Sequence, residues 1–345
     1  MKFSKSLIFS FFTFLVLCSC RSDKPPVLVN GPSVSGSNRV WICNEGNFQQ
    51  ANSELGIYNP ENKEYSPEVY KAANLNSPGD VLQSLNFYNG LAYLIVNNSG
   101  KIIVVDTSSF QVQKLISGFT SPRYMLPVGP FKAYVSDLYA DAISILDLEK
   151  DSIIGNIACG QWTEKMLQFQ NKVFVSTAQH DQLFVIDALT DQLIDSIPLA
   201  YGSNSLVLDK NNKLWVLCSG SPSENKAAGL FKIDPNSHQI LSQWPMDQTK
   251  LASHLSINSK GDEIYFLYKD LFKMKISDQD LPSTAFYPAN SRIFYGLNID
   301  PLRNEIYLAD PIDFVQKGLA IRLDSNANLL STFRTGFNPN GFYFE

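Results

Sequence analysis

Histidine is nearly absent: His180, His238 and His254 are the only three in 345 residues. Their separation gives no metal-ligand spacing, so a histidine-built zinc or iron centre has no foundation. Lysine and arginine never gather in a run, and 33 acidic residues outnumber 28 basic ones. Binding to nucleic acid needs a basic stripe, so that class of partner is excluded. Cysteine is scarce as well. Past residue 20 only Cys43, Cys159 and Cys218 remain, an odd number at wide intervals. That is neither a disulfide framework nor a zinc cluster. Each falls in an apolar stretch and reads as small buried packing. Nucleophile-elbow, zinc-protease, phosphate-loop and calcium-loop motifs are all missing, which points away from an enzyme.

What is present begins with a leader. Lys2 and Lys5 precede an apolar run from Leu7 to Leu17, too short to span a bilayer. The run ends Leu17-Cys18-Ser19-Cys20, which resembles a bacterial lipobox. That resemblance implies cleavage after residue 19 and acylation of Cys20; plain secretion with a free Cys20 is the alternative. Several acyl chains on one cysteine make a durable anchor, whereas a single chain holds only weakly. Residues 20–39, rich in Pro, Gly and Ser, read as a lipidated tether. Arg21 stands where an Asp would mark retention at the inner membrane, which permits the outer membrane; a lipid-anchored, exterior-facing location there is the expectation.

The rest of the chain, residues 40–345, repeats itself. An aromatic residue recurs near the start of an apolar run at Trp41, Tyr93, Tyr134, Phe174, Trp215, Tyr265 and Tyr307, with spacings of 52, 41, 40, 41, 50 and 42. Each run is followed by a second apolar segment ending in a polar turn, such as VVDT, ILDL, VIDA and KIDP; the sixth, KMKI, is degenerate. A short apolar strand and a Gly/Asn/Asp/Lys turn precede most of the aromatics, and a fourth strand follows. Four short antiparallel strands in 40–50 residues make a propeller blade. The apolar residues alternate in steps of two or run continuously, which excludes a helical solenoid. The two long spacings contain Asn-, Ser-, Pro- and Gly-rich stretches that read as loops.

Counting predicts how the ring closes. The Trp41 strand lacks a preceding partner, and the terminal NPNGFYFE lacks a following one. The last strand therefore completes blade one. The expected fold is all-β, a seven-bladed propeller of four-stranded antiparallel blades, closed without long free edges.

In such a ring, the loops leading into the first strands and those joining second to third strands share one face around the central channel. That face is rich in aromatics and amides. Aromatics with adaptable polar neighbours suit a large, rigid, amphipathic ligand. The contact candidates are Phe48, Arg123, Tyr124, Asp137, Tyr139, Trp162, His180, Tyr201, Tyr295 and Phe314. For each of these, capping of a blade core or plain solvent exposure is the alternative. The seven repeated aromatics read as packing between blades.

Segments VWICNEGNF, NNSGKIIVVD, AYVSDLYAD, LDKNNKLWVL, EIYLADPIDFVQKG and RTGFNPNGFYF resemble the YncE-like propeller lipoproteins of Bacteroidota, and within them the BtuG-type surface lipoproteins. The resemblance spans residues 40–345. It implies capture of cobalamin or a related corrinoid, held as a transported ligand and not as a cofactor. It also implies delivery to a TonB-dependent outer-membrane transporter of the BtuB type. A propeller serving another nutrient such as a glycan, or a lyase or hydrolase using rim acids, is the alternative.

Overall fold

The computed structural model describes residues 38–160 and 162–345. The leader, Cys20 and the tether up to residue 37 lie outside the described residues. Within them the chain forms seven antiparallel sheets in a ring, each made of consecutive strands except the first. Blade one joins the terminal strand Pro339–Phe344 to Val40–Asn44, Glu54–Asn59 and Glu64–Ser66. Val40 pairs with Phe344 and Cys43 with Gly341, so the expected closure is what the register shows.

The repeated aromatics explain why the sheets form. Each lies in the second strand of its blade, and none is more than 3% exposed. Second and third strands are covered on both faces by neighbouring blades, so their sequences are continuously apolar. Trp215 of blade five stacks on Trp244 at 5.2 Å and packs against Leu255 and Phe266 of blade six. Tyr134 of blade three packs with Val173 and Val175 of blade four. Burying each ring stabilises the ring of blades by about 1.5–3 kcal/mol. Cys43, Cys159 and Cys218 are free and buried in this packing, and burial pushes the Cys159 thiol up to about 11.

The polar turn after each third strand has one cause. Asp106, Asp147, Asp187, Asp234 and Asp324 each accept backbone N–H bonds from residues further along the turn. The carboxylate closes the turn and satisfies donors that no strand reaches. In blade six Lys275 stands at the strand end instead, and Asp278 accepts the Lys275 N–H. This blade departs from the expected four strands. It has three, Ser253–Ile257, Glu263–Tyr268 and Asp270–Lys275; the following segment adds an isolated Leu271–Tyr287 bridge and packs Phe286 on Tyr265 without forming a fourth strand. A six-residue helix, Val69–Asn74, lies in the first long spacing, which read as loop. It buries Val69 and Tyr70 against blade one, whose outer strand has only three residues.

Candidate functional site

The first strands line the central channel, and six of the seven carry a β-bulge near their start. In blade two, Leu82 pairs with Val96 and Ser84 with Ile95, leaving Gln83 as the extra residue. By the same count Asn340 is extra in blade one and Asn204 in blade five. Arg123 and Tyr124 together face one partner residue in blade three, as do Glu164 and Lys165 in blade four, and His254 and Leu255 in blade six. A bulge bends the strand and re-aims the extra side chain. All of these residues except Leu255 line one open cavity of about 710 Å³ at the channel mouth. Local chemistry sets the bulges. The Thr163 hydroxyl accepts the Asp137 N–H at 3.0 Å, and the Ser203 hydroxyl accepts the Thr177 N–H at 2.8 Å. Each bond pins the start of a first strand to the second strand of the blade before it.

The cavity wall is a hydrogen-bonded belt. Arg123 Nε donates to both Glu164 oxygens at 3.1 and 3.0 Å, and its Nη1 donates to Gln83 Oε1. Asn340 Nδ2 donates to Glu45 Oε1 at 2.8 Å and to the Gln83 carbonyl at 2.8 Å. The Tyr295 hydroxyl donates to Glu45 Oε2 at 3.1 Å. Burial raises the Glu45 carboxyl above the usual carboxylate range, against the opposing pull of Arg123 and these two donors. Lys165 is lowered, chiefly by burial, with Glu164 opposing. Burial, helped by Lys165, depresses His254 to about 3.

This last shift has a sign that can be tested. The unfolded chain protonates His254 near its ordinary pKa, about 6.5. The folded chain does not do so until about 3. Between those values the unfolded state binds more protons, so His254 makes stability fall as pH drops from about 6.5 towards 3. The slope is at most about 1.4 kcal/mol per pH unit. Urea denaturation at pH 7, 5.5 and 4 is expected to show His254→Gln losing less stability than the parent over this range. Parallel pH profiles would contradict the assignment.

The sequence candidates divide into four places. Arg123, Tyr124 and Tyr295 line the cavity. Phe314 is exposed at its edge, its ring edge-on to Tyr295 at 5.2 Å, and its carbonyl accepts a 3.1 Å bond from Asn47, next to the exposed Phe48. Tyr139 and Trp162 form an edge-on rim pair at 6.2 Å, with Tyr139 59% exposed. His180 and Tyr201 line a separate hollow of about 490 Å³, where Lys226 Nζ sits 3.7 Å from the Tyr201 ring centroid. Asp137 is the exception: it is 1% exposed and lines neither of these two cavities. Its carboxylate accepts the N–H groups of Thr120, Ser121, Tyr139 and Ala140, so it is a turn clamp with no room for a ligand. Glu45, Glu164, Asn204, His254 and Asn340 fall in the rim loops of the expected face but were not among the contact candidates, and Gln83 and Lys165 lie outside those loops. A polar residue one or two places after a small hydroxyl residue, as in Thr163-Glu164-Lys165, Ser203-Asn204 and Ser253-His254, is the pattern that marks several of them.

A model of the family described as "Domain of unknown function (DUF5074)" matches residues 38–329. The chain belongs to that family. No curated protein matches the DUF5074 chain. Among solved structures it is similar to a quinonprotein alcohol dehydrogenase-like protein from Bacteroides thetaiotaomicron, with TM-score 0.69 and 14% identity over 89% of this chain and 78% of that one. It is also similar to a putative 6-phosphogluconolactonase from Bacteroides uniformis, with TM-score 0.66 and 12% identity over 89% and 100% of the two chains. Identities this low establish a shared propeller fold for the DUF5074 chain and leave its ligand open.

Proposed function

We propose that this propeller is a capture protein that binds cobalamin or a related corrinoid at the channel mouth without transforming it. In this reading it is held at the outer membrane through acylated Cys20, faces the exterior, and passes its ligand to a TonB-dependent transporter. The observation that carries the reading is the set of bulges, which turn polar side chains of six blades, amides and charged groups of five and the His254 imidazole of the sixth, towards one open cup of about 710 Å³. A corrinoid is a broad, rigid disc edged with amides. An amide-lined wall under exposed aromatics complements both its polar edge and its apolar faces. The two inward carboxylates are engaged, Glu164 by Arg123 and Glu45 by Asn340 and Tyr295, which suits holding a ligand better than acid–base chemistry.

Trp162 supports a contact role at the rim. Its φ is +58°, in the left-handed region that disfavours bulky side chains. Blade five uses Gly202 at the equivalent place, with the same pair of backbone bonds. A tryptophan there costs stability that a glycine would not. Its edge-on pairing with the exposed Tyr139 offers a ligand platform in return.

Calorimetric titration with cyanocobalamin is expected to give saturable heat at micromolar ligand, with colour retained on gel filtration. Trp162→Ala is expected to weaken binding by about tenfold or more, the loss typical of a central aromatic contact. Absence of heat and of retained colour would end the corrinoid reading.

A further inference from the structure

The charges at the channel mouth are not evenly matched around the ring. On one side, Glu45 is held by Asn340 and Tyr295, and both oxygens of Glu164 are taken by Arg123. Lys165 is the next residue after Glu164, on the same bulge, and lines the same cavity. Its ammonium makes no ion pair and no hydrogen bond among the described residues; the Tyr124 ring centroid lies 5.7 Å from Nζ, while the Lys165 carbonyl accepts the Ser176 hydroxyl at 2.9 Å. His254, two blades on, lines the same cavity, and its Nδ1 is buried without a hydrogen-bond partner. Asn204, on the blade between them, spends one amide N–H on the Ala252 carbonyl and keeps the other. Three successive blades therefore present a cation, an amide donor and an unsatisfied imidazole to one stretch of the lumen, with no protein carboxylate committed to them.

A partly buried ammonium with no acceptor and a buried imidazole nitrogen with no partner are each costly. One group resolves both: an anion that pairs with the ammonium and accepts a hydrogen bond from the ring. We infer that the Lys165–Asn204–His254 side of the channel binds an oxyanion carried by the ligand, a phosphate or a carboxylate. The inference rests on the channel mouth being the ligand site and adds to it a charge requirement: the ligand carries at least one negative group, seated opposite the Glu45 side.

The probes are inorganic phosphate and acetate, added to the whole folded domain while the His254 ring resonances are followed by NMR. Phosphate or acetate is expected to shift them saturably at millimolar concentration and to raise the pH at which His254 titrates. Phosphate acting alone identifies a tetrahedral group, and acetate alone a carboxylate. Lys165→Gln is expected to weaken the bound probe by about tenfold, as loss of a charge-assisted bond does, while Lys165→Arg retains it. Near-identical circular dichroism of both variants separates this from misfolding. No saturable shift, or equal affinity in parent and Lys165→Gln, overturns the anion site. The two readings fail separately. If cyanocobalamin does not bind but the phosphate shift persists, only the corrinoid is lost. If cyanocobalamin binds parent and Lys165→Gln alike and neither probe shifts His254, only the oxyanion site is lost.

Discussion

Removal of residues 339–345 is expected to leave a chain with no cooperative unfolding transition. These residues supply the whole first strand of blade one, and their contacts are shared by three blades. Phe342 is 1% exposed and packs on Tyr307 of blade seven at 5.4 Å between ring centroids. Its N–H donates to Asn298 of the same blade. Asn340 donates to the Gln83 carbonyl of blade two. At the other end, Glu345 accepts a 2.9 Å bond from the Trp41 indole and pairs with Arg39 at 2.5 Å. Losing a buried Phe alone costs about 3–5 kcal/mol. A domain's total stability is about 5–15 kcal/mol. Loss of the remaining strand pairing, together with exposure of the Trp41 strand edge, exceeds what is left. Far-UV circular dichroism on heating and dye binding check this; a sharp melt within a few degrees of the parent would contradict it. A rescue is also expected. Phe344 faces Val40, and the Glu345 N–H donates to the Arg39 carbonyl. Residues 339–345 moved in front of residue 38 through a short turn would make an ordinary hairpin, and that permuted chain should recover the cooperative melt.

The ring could be read from the sequence because the residues that repeat are those whose environment repeats. Trp41, Tyr93, Tyr134, Phe174, Trp215, Tyr265 and Tyr307 all occupy the same sealed place between blades, and the turn carboxylates Asp106, Asp147, Asp187, Asp234 and Asp324 all close the same turn. Blade six faded because Lys275 stands at the place of those turn carboxylates; its sheet has three strands. The helix Val69–Asn74 escaped notice because six residues are too few to show a helical period.

The site was less legible, for a geometric reason. A bulge breaks the alternation by which a strand is recognised. Polar residues at a bulge therefore look like loop. Glu164, His254 and Asn340 read as part of the loops leading into the first strands, yet they lie inside the strands Thr163–Phe169, Ser253–Ile257 and Pro339–Phe344. Gln83 and Lys165 fall just beyond the segments that read as loop, although both face the lumen. Asp137 misled in the opposite sense. As the last residue of its strand it looks like the start of a rim loop, but its four N–H partners turn it inward. Exposure follows strand position, while the direction of a side chain at a bulge follows pairing with the next strand, which one segment of sequence does not encode.

That pairing concentrates the energetics of the mouth on one side chain. Arg123→Met is expected to destabilise the fold by about 2–4 kcal/mol at pH 7, towards the lower part of the range for breaking a buried pair because Arg123 keeps some solvent contact. Glu164, with its side chain 8% exposed, would be left charged without its partner. Glu45 would lose the cation that opposes its upward shift. Glu164→Gln should cost less, since Arg123 then still faces Glu45. In the double variant the two losses should sum to less than their separate values, because the pair they share is removed once. The pH dependence has a definite sign. In Arg123→Met the folded-state Glu45 carboxyl rises further above its unfolded value, so the native state binds more protons than the unfolded state just above the ordinary carboxylate range. Stability then falls as pH rises through that window and returns as pH drops. Urea titrations of parent and variant at pH 7 and pH 5 are expected to show the gap narrowing at the lower pH. An equal gap at both, or a smaller loss for Arg123→Met than for Glu164→Gln, would mean that Arg123 does not serve both carboxylates.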